Sequence, residues 1–398
     1  MDFSSYVAAL GQAVDAGWSA SNHSRDEFAR VAGDALERIA PPEVDPADLL
    51  ATAVRGALPE QTSYTSRFGQ PPLTLHRGDD YYIEALYWLD STTAIHEHSF
   101  AGAFRVLAGG SIHVRYEFDA HRVWSERLEA GALTTIHSEI LRTGDVRRIE
   151  RGRAGIHSLF HLEQPSVTLV VRTYALDGAR QLRFTRPGLA FDPFFTQNML
   201  GRRMEALVAL HKTDPSRAFD EARRLVTELD HMRGLVVLRK WFEVDRVHRL
   251  ADLIDAYERR IGTEGLVRAH FADMANERDL VMRRQLLTQP RHRLYLALML
   301  NVEDHDDRLR LAAQLFPGAE PGHTIADIVG ELADRNLRGI SGMVLSQTEL
   351  ETLQASLRAG DPVDLSRTLS DKHRVHELVK ALSDAGTGRH GSAATATA

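Results

Sequence analysis

The sequence predicts an α+β protein in which a central β-barrel lies between an N-terminal helical segment and an all-α C-terminal domain. Residues 59–192 hold short runs of apolar, β-branched and aromatic residues separated by Gly and Asp turns, which is typical of an all-β barrel or sandwich. Residues 1–58 and 193–385 instead carry helix start and stop signals and apolar residues at helical spacing. Residues 386–398 are small and polar, and we expect them to be disordered.

The composition narrows the class of protein. The chain has 398 residues, 43% of them apolar and 26% charged, with a net charge of −7 and no cysteine. We expect two or three domains, and no nucleic-acid partner because no basic face is indicated. No apolar run is long enough for a membrane span, and no basic region precedes the N-terminal apolar residues, so we expect a cytoplasmic protein. Without thiolates, any metal must be bound by histidine, carboxylate or water.

Helix signals define both ends of the chain. Ser24 precedes Arg-Asp-Glu and predicts an N-cap followed by an acidic first turn, and Pro41-Pro42 predicts the end of that helix. In the C-terminal region, Asp214-Pro215 predicts a helix start and Gly262 a helix end. Its histidines form no Glu-x-x-His pair, so we expect residues beyond 195 to pack separately and to supply an interface or a lid rather than metal ligands. A homodimer through the helical regions stays open.

The central region reads as short strands joined by turns. Their apolar and β-branched residues fit a pleated, half-buried surface, and the Gly and Asp residues between them fit tight turns. The predicted strands are residues 81–89, 104–107, 111–118, 134–140 and 167–174, and the turns lie at 109–110, 131, 143–145 and 177–178.

Two histidine clusters in this region suggest a metal site. His96 and His98 are separated by Glu97, and residues i and i+2 of a strand face the same side about 6.6 Å apart, so both imidazoles can converge on one cation. His157 and His161 form the second cluster. Because the flanking Gly, Pro and β-branched residues favour a strand, this second pair would be about 13 Å apart. Only one of the two can therefore join the first pair.

Two stretches, taken together, resemble a known family. Residues 86–99 run Leu-Tyr-Trp-Leu-Asp-Ser-Thr-Thr-Ala-Ile-His-Glu-His-Ser, and a Gly-Ile-His that begins at residue 155 is followed by Pro-Ser-Val-Thr-Leu at 165–169. Their order and separation resemble those of the cupins, and within them the cysteine dioxygenase-like thiol dioxygenases. The resemblance implies a jelly-roll barrel with an iron(II) site whose ligands are His96, His98 and His157.

The resemblance also implies a basic residue upstream that binds a substrate carboxylate. Ser-Tyr-Thr-Ser-Arg at residues 63–67 is similar to the Tyr-Thr-Arg segment that supplies it, which makes Arg67 the candidate. Arg77 and Arg172 compete for the same role. His113, His121 and His137 are interpreted as ordinary barrel residues, and His161 as pocket lining, a donor to the site or a surface residue.

The chain departs from the family pattern at two places. Ordinary cupins place a glutamate four or five residues after the second histidine, where this chain has Gly102 and Ala103, so a site of three histidines is favoured. The thiol dioxygenases carry a Ser-His-Tyr relay, whose His and Tyr positions correspond here to Val170 and Arg172. The absence of that relay argues against cysteine itself as the substrate.

The leading hypothesis is a non-haem iron(II) oxygenase that acts on a small carboxylate- or amine-bearing substrate, with substrate and O2 binding at the iron. Imidazole ligands suit several metals, so a cupin isomerase, lyase or hydrolase that uses zinc, manganese or nickel is the alternative. A third possibility is a cupin that senses a small ligand while its helical domain binds a partner. Arg67 and Arg172 are the candidate substrate-binding residues.

Overall fold

The computed structural model describes residues 1–61, 69–89, 92–175, 180–245, 249–287, 289–333 and 346–361. Arg67, the first candidate for the substrate carboxylate, lies outside the described residues, so its role stays a prediction. The described chain has N-terminal helices, two antiparallel β-sheets, one of them closed into a barrel, and a helical C-terminal region. The predicted fold class is therefore confirmed.

Three helices precede the first strand. They are α1 (Phe3–Ala20), α2 (Phe28–Arg38) and α3 (Pro46–Val54). The predicted helix start at Ser24 is wrong, because Asn22 and His23 adopt left-handed backbone conformations and the Ser24 carbonyl accepts a hydrogen bond from the Trp18 indole. The helix therefore begins only at Phe28, whose buried ring enters the core. It ends before Pro41-Pro42, as predicted.

Eleven described strands form the two sheets. The first sheet has the order β1-β2-β9-β4-β7, and the closed barrel has the order β10-β11-β6-β5-β8-β3. The predicted strands are all present. The strands are β1 (Pro72–Arg77), β2 (Tyr81–Trp88), β3 (Thr92–His96), β4 (Gly102–Ala108), β5 (Ser111–Ser125), β6 (Leu128–Leu141), β7 (Val146–Ile149), β8 (His157–His161), β9 (Ser166–Thr173), β10 (Arg183–Thr185) and β11 (Leu189–Phe191).

The β5–β6 hairpin is longer than predicted. In its outer half, β5 from Asp119 to Ser125 is largely exposed, whereas Leu128, Glu129 and Ala130 of β6 are buried. The extension reaches the C-terminal helices, where the Trp124 indole donates a 3.2 Å hydrogen bond to the Ile261 carbonyl. The outer half of the hairpin thus packs against a distant segment of the chain, and a local sequence pattern does not report such an interaction.

The C-terminal region contributes nine described helices, and the predicted helix start at Asp214-Pro215 and helix end at Gly262 are both confirmed. Asp214 accepts a hydrogen bond from the Arg217 backbone at the start of α5, and Gly262 ends α7 with φ +68°. The helices are α4 (Asn198–Thr213), α5 (Pro215–Glu228), α6 (His231–Val244), α7 (Leu250–Ile261), α8 (Leu266–Leu286), α9 (Pro290–Asn301), α10 (His305–Leu315), α11 (Pro321–Ala333) and α12 (Gln347–Ala359).

These helices share cores with the barrel. Leu128 and Phe191 of the barrel pack with residues from α4 to α8, and Ile112, Val114 and Phe160 pack with residues from α9 to α12. The helices beyond residue 195 therefore do not pack separately from the barrel, because apolar side chains of the barrel form part of both helical cores. The domain boundary at residue 193 stays a prediction. Among the described helices, none is both long and apolar enough to cross a membrane.

Candidate metal centre

Strand register brings the three predicted histidines together. His96 ends β3 and His157 begins β8, and the two residues are direct partners in the antiparallel ladder. His98 follows β3 by two residues and remains beside them, with its ring centroid 4.5 Å from that of His96 and 4.8 Å from that of His157. All three are buried.

The geometry of the three rings fits one metal ion. One nitrogen from each ring lies within 4.8 Å of the other two, and the Nε2 atoms of His96 and His98 are 3.1 Å apart. Two metal–nitrogen bonds of about 2.1 Å at a right angle would place their nitrogens about 3.0 Å apart. Within the described ranges this is the one group of three or more potential ligand residues, and it includes no residue beyond 195.

A hydrogen bond fixes the tautomer of His96. The Nδ1 of His96 lies 2.7 Å from the Ala94 carbonyl oxygen, which can only accept, so Nδ1 carries the proton and Nε2 keeps its lone pair. Burial lowers the pKa of His96 to about 4 and holds the pKa values of His98 and His157 well below the usual range. All three rings are neutral at pH 7, which is the form that binds a metal.

A fourth histidine contacts the cluster from outside. The Nε2 of His113, on β5, lies 3.0 Å from the Nδ1 of His157. The Nδ1 of His113 lies 2.9 Å from Glu139 on β6, and Glu139 also accepts a 2.8 Å hydrogen bond from the Nε of Arg147 on β7. The interpretation of His113 as an ordinary barrel residue was therefore incomplete, because its ring touches a predicted ligand.

The electrostatics of these neighbours are well defined. Burial lowers the pKa of His113, although the carboxylate of Glu139 opposes the shift. Burial acts to raise the pKa of Glu139, but hydrogen bonds from Arg147 and His113 outweigh it and hold that pKa well below the usual range. Glu139 is thus ionised and His113 neutral at pH 7.

The three histidines lie in the wall of an apolar pocket. The pocket is small, with a cavity volume of about 50 Å³. Trp88 is fixed in this wall by a 3.0 Å hydrogen bond from its indole to Thr168. The apolar lining residues are Leu86, Trp88, Phe100, Phe104, Ile149, Leu159 and Val170.

Arg172 is the only charged side chain in the described lining of this pocket. Its Nε lies 2.9 Å from the carboxylate of buried Glu84, and its guanidinium lies over the rings of Phe100 and Tyr82 at 4.4 and 4.9 Å. Burial raises the pKa of Glu84, although the charge of Arg172 opposes that shift. Arg77, the other candidate, instead pairs with Glu60 and is 40% exposed.

Steric packing excludes a side chain at Gly102, which is one of the two positions, with Ala103, where the resemblance would place a glutamate. A Cβ on Gly102 would lie 2.2 Å from the Val171 carbonyl oxygen and 3.0 Å from the Cβ of Arg172. No side chain fits there without separating β4 from β9. The choice of a three-histidine site over a site with an added glutamate is therefore consistent with the backbone.

Glu97 and His161 flank the cluster without joining it. Glu97 is fully buried and faces Arg153 and Arg180 at 3.6 and 3.5 Å, and its backbone N–H donates a hydrogen bond to Leu182. His161 is buried with its Nδ1 2.9 Å from the hydroxyl of Ser111, and it stacks on Trp88 with centroids 4.3 Å apart. The second pair of histidines thus contributes one member to the cluster, as the strand geometry predicted.

Comparisons with known proteins found no matching family model and no matching curated protein. Solved structures that resemble part of the chain include a cupin-2 domain protein from Shewanella frigidimarina, at 11% identity over 33% of this chain and 94% of that one, with a TM-score of 0.20. A hydroquinone 1,2-dioxygenase from Sphingomonas sp. matches at 12% identity over 27% and 68%, with a TM-score of 0.21. A DMSP lyase from Ruegeria pomeroyi matches at 18% over 38% and 76%, with a TM-score of 0.24. These values are too low for an activity to be carried over.

Proposed function

We propose that this protein is a metal-dependent enzyme of the cupin type, and specifically a non-haem iron(II) oxygenase that uses His96, His98 and His157 as ligands. The observation that carries the proposal is the convergence of three buried imidazoles within 4.8 Å at the wall of an apolar pocket. Three protein ligands leave open positions on an octahedral ion. A bound iron(II) would supply the reactivity toward dioxygen that the side chains lack.

The pocket supports a small substrate with an apolar or aromatic body and one charged end. Phe100, Phe104 and Trp88 supply flat apolar walls, which exclude water from the reacting end of the pocket. Arg172 would bind a substrate carboxylate. Because the Glu84 carboxylate lies 2.9 Å from the Nε of that side chain, a substrate carboxylate would meet the Nη side of the guanidinium.

The chain's own residues would therefore position and shield the substrate. The neutral histidines hold the ion, the aromatic walls orient the substrate body, and the Arg172–Glu84 pair fixes the position of the charged end. Glu84 also balances the charge of Arg172, so an anionic substrate must compete with a carboxylate that is already in place. Binding of the anionic end is consequently expected to be selective rather than tight.

The test combines elemental analysis with oxygen uptake. Protein produced with an iron supply should hold about one iron per chain, and it should consume O2 in the presence of one member of a panel of small aromatic or branched carboxylates and amines. His157→Ala should abolish both. Stoichiometric zinc, with turnover that is unaffected by anaerobic conditions, would overturn the oxygenase proposal.

The same donor set supports a second candidate. Imidazole nitrogens bind zinc, manganese and nickel as well as iron, so a redox-neutral lyase, isomerase or hydrolase would use the same three ligands. Turnover without O2 by the zinc- or manganese-loaded protein favours this candidate.

A further inference from the structure

A hydrogen-bonded chain runs from the side of the barrel to the metal ligand His157. It joins Arg147, Glu139, His113 and His157, which lie on the four strands β7, β6, β5 and β8. The successive separations are 2.8, 2.9 and 3.0 Å, all within hydrogen-bond range. We call these residues the His113 chain.

The direction of each hydrogen bond follows from the groups at its outer end. Arg147 can only donate, and the carboxylate of Glu139 can only accept, so the Nδ1 of His113 carries a proton. The Nε2 of a neutral His113 then accepts from the Nδ1 of His157. The lone pair of His157 is left on Nε2, on the side of His96 and His98. The reverse order would place a proton on the nitrogen that must bind the metal.

We infer that His113 and Glu139 are positioning residues that fix the tautomer and the orientation of the metal ligand His157 and increase its donor strength. This inference rests on the proposed metal site. Metal-bound histidines commonly donate their second N–H to a carboxylate or carbonyl, which makes the imidazole a better ligand. Here a second histidine stands between the ligand and the carboxylate.

The ligands His96 and His157 therefore differ in the groups that accept their second N–H. His96 donates to a backbone carbonyl, which no side-chain substitution can remove, whereas His157 depends on two side chains. Buried His161 lies on the same strand as His157 but contacts Ser111 and Trp88 and takes no part in the chain.

Cobalt(II) binding to the full-length apoprotein tests the inference without any substrate. The variants are His113→Leu, which removes both hydrogen bonds, His113→Gln, which keeps an acceptor, and Glu139→Gln, which removes the charge at constant size. His121→Gln is the matched control, because His121 lies on the same strand as His113 but is 62% exposed and contacts Asp119, which is not part of the chain. The readouts are the dissociation constant by chelator competition, the visible Co(II) band and the urea midpoint of the apoprotein.

We expect His113→Leu to weaken Co(II) binding about 10- to 100-fold and Glu139→Gln about tenfold, with a shifted visible band in both. His113→Gln should recover part of the loss, and His121→Gln should bind like the wild type. If His113→Leu does not fold, Glu139→Gln decides the question. Wild-type affinity and an unshifted band in folded Glu139→Gln would overturn the inference. A wild-type protein that binds no Co(II) would instead overturn the proposed metal site.

Discussion

The buried histidines predict that the metal-free protein loses stability as the pH falls through the range just below neutral. Burial lowers the pKa of His96 from 6.5 to about 4 in the folded protein. Between these two values the unfolded chain takes up a proton at this position and the folded chain does not. The sign is therefore fixed: stability is fully present above the unfolded pKa and declines as the pH falls toward the folded pKa.

The magnitude follows from the two pKa values of His96. Each pH unit between them corresponds to about 1.4 kcal/mol, so His96 alone accounts for a loss on the order of 3 kcal/mol. His98, His157 and His270 act in the same direction, because burial holds their pKa values well below the usual range. Glu84 has a raised pKa, again mainly through burial, and acts in the opposite direction.

Because groups of both signs contribute, a comparison of variants isolates the share of His96. Urea unfolding of chelator-treated wild type and His96→Gln is followed by circular dichroism from about pH 7 to about pH 5 at constant ionic strength. His96→Gln should show a distinctly flatter decline. The control is His121→Gln, whose exposed side chain should leave the decline unchanged. A His96→Gln protein that loses stability as steeply as the wild type would refute the reasoning.

Three more predictions concern the pocket. His157→Ala should lose bound metal and His161→Ala should keep it, because of these two residues only His157 belongs to the cluster. Elemental analysis checks this prediction, and the reverse result would show that the wrong histidine of this strand was chosen as the ligand. Glu84→Leu should lower the free energy of unfolding by about 3–5 kcal/mol, because it removes the carboxylate that faces the guanidinium of Arg172. The added change Arg172→Leu should recover part of this loss in urea unfolding, and no recovery would contradict the ion pair. Gly102→Ala should cost about 1–3 kcal/mol in thermal unfolding, since its Cβ would meet a β9 carbonyl oxygen at 2.2 Å; unchanged stability would contradict this clash.

Short-range geometry made two features of the histidine cluster predictable, whereas the choice of His157 came from the family resemblance and its approach to His96 depends on strand register. His96 and His98 share a side through the two-residue period of an extended chain, and a strand that contains His157 and His161 separates those two rings too far for one ion. Both arguments hold whatever the distant parts of the chain do. The fold class was predictable for the same reason, since turn residues and apolar runs report on local structure.

The His113 chain could not be predicted because it depends on bulges. The hairpin pairs Ser125 with Leu128 at its tip, and an uninterrupted ladder counted from there would pair His113 with Ile140. Register shifts along the hairpin instead place His113 opposite Glu139. A shift of one residue moves a side chain to the other face of the sheet, so counting from the turn gives the wrong partner.

The glycine at position 102 and the presence of Arg172 in the pocket are linked by the strand register. Gly102 and Arg172 are direct partners in the ladder between β4 and β9, and the Cβ of Arg172 would lie 3.0 Å from a Cβ at position 102. The sequence showed only that position 102 carries no ligand side chain, and it left open which face of the sheet the Arg172 side chain occupies. The register joins the two observations, because glycine at one position makes room for the arginine at the other. Arg172, which lines the pocket, therefore lies directly beside a position that can hold no side chain.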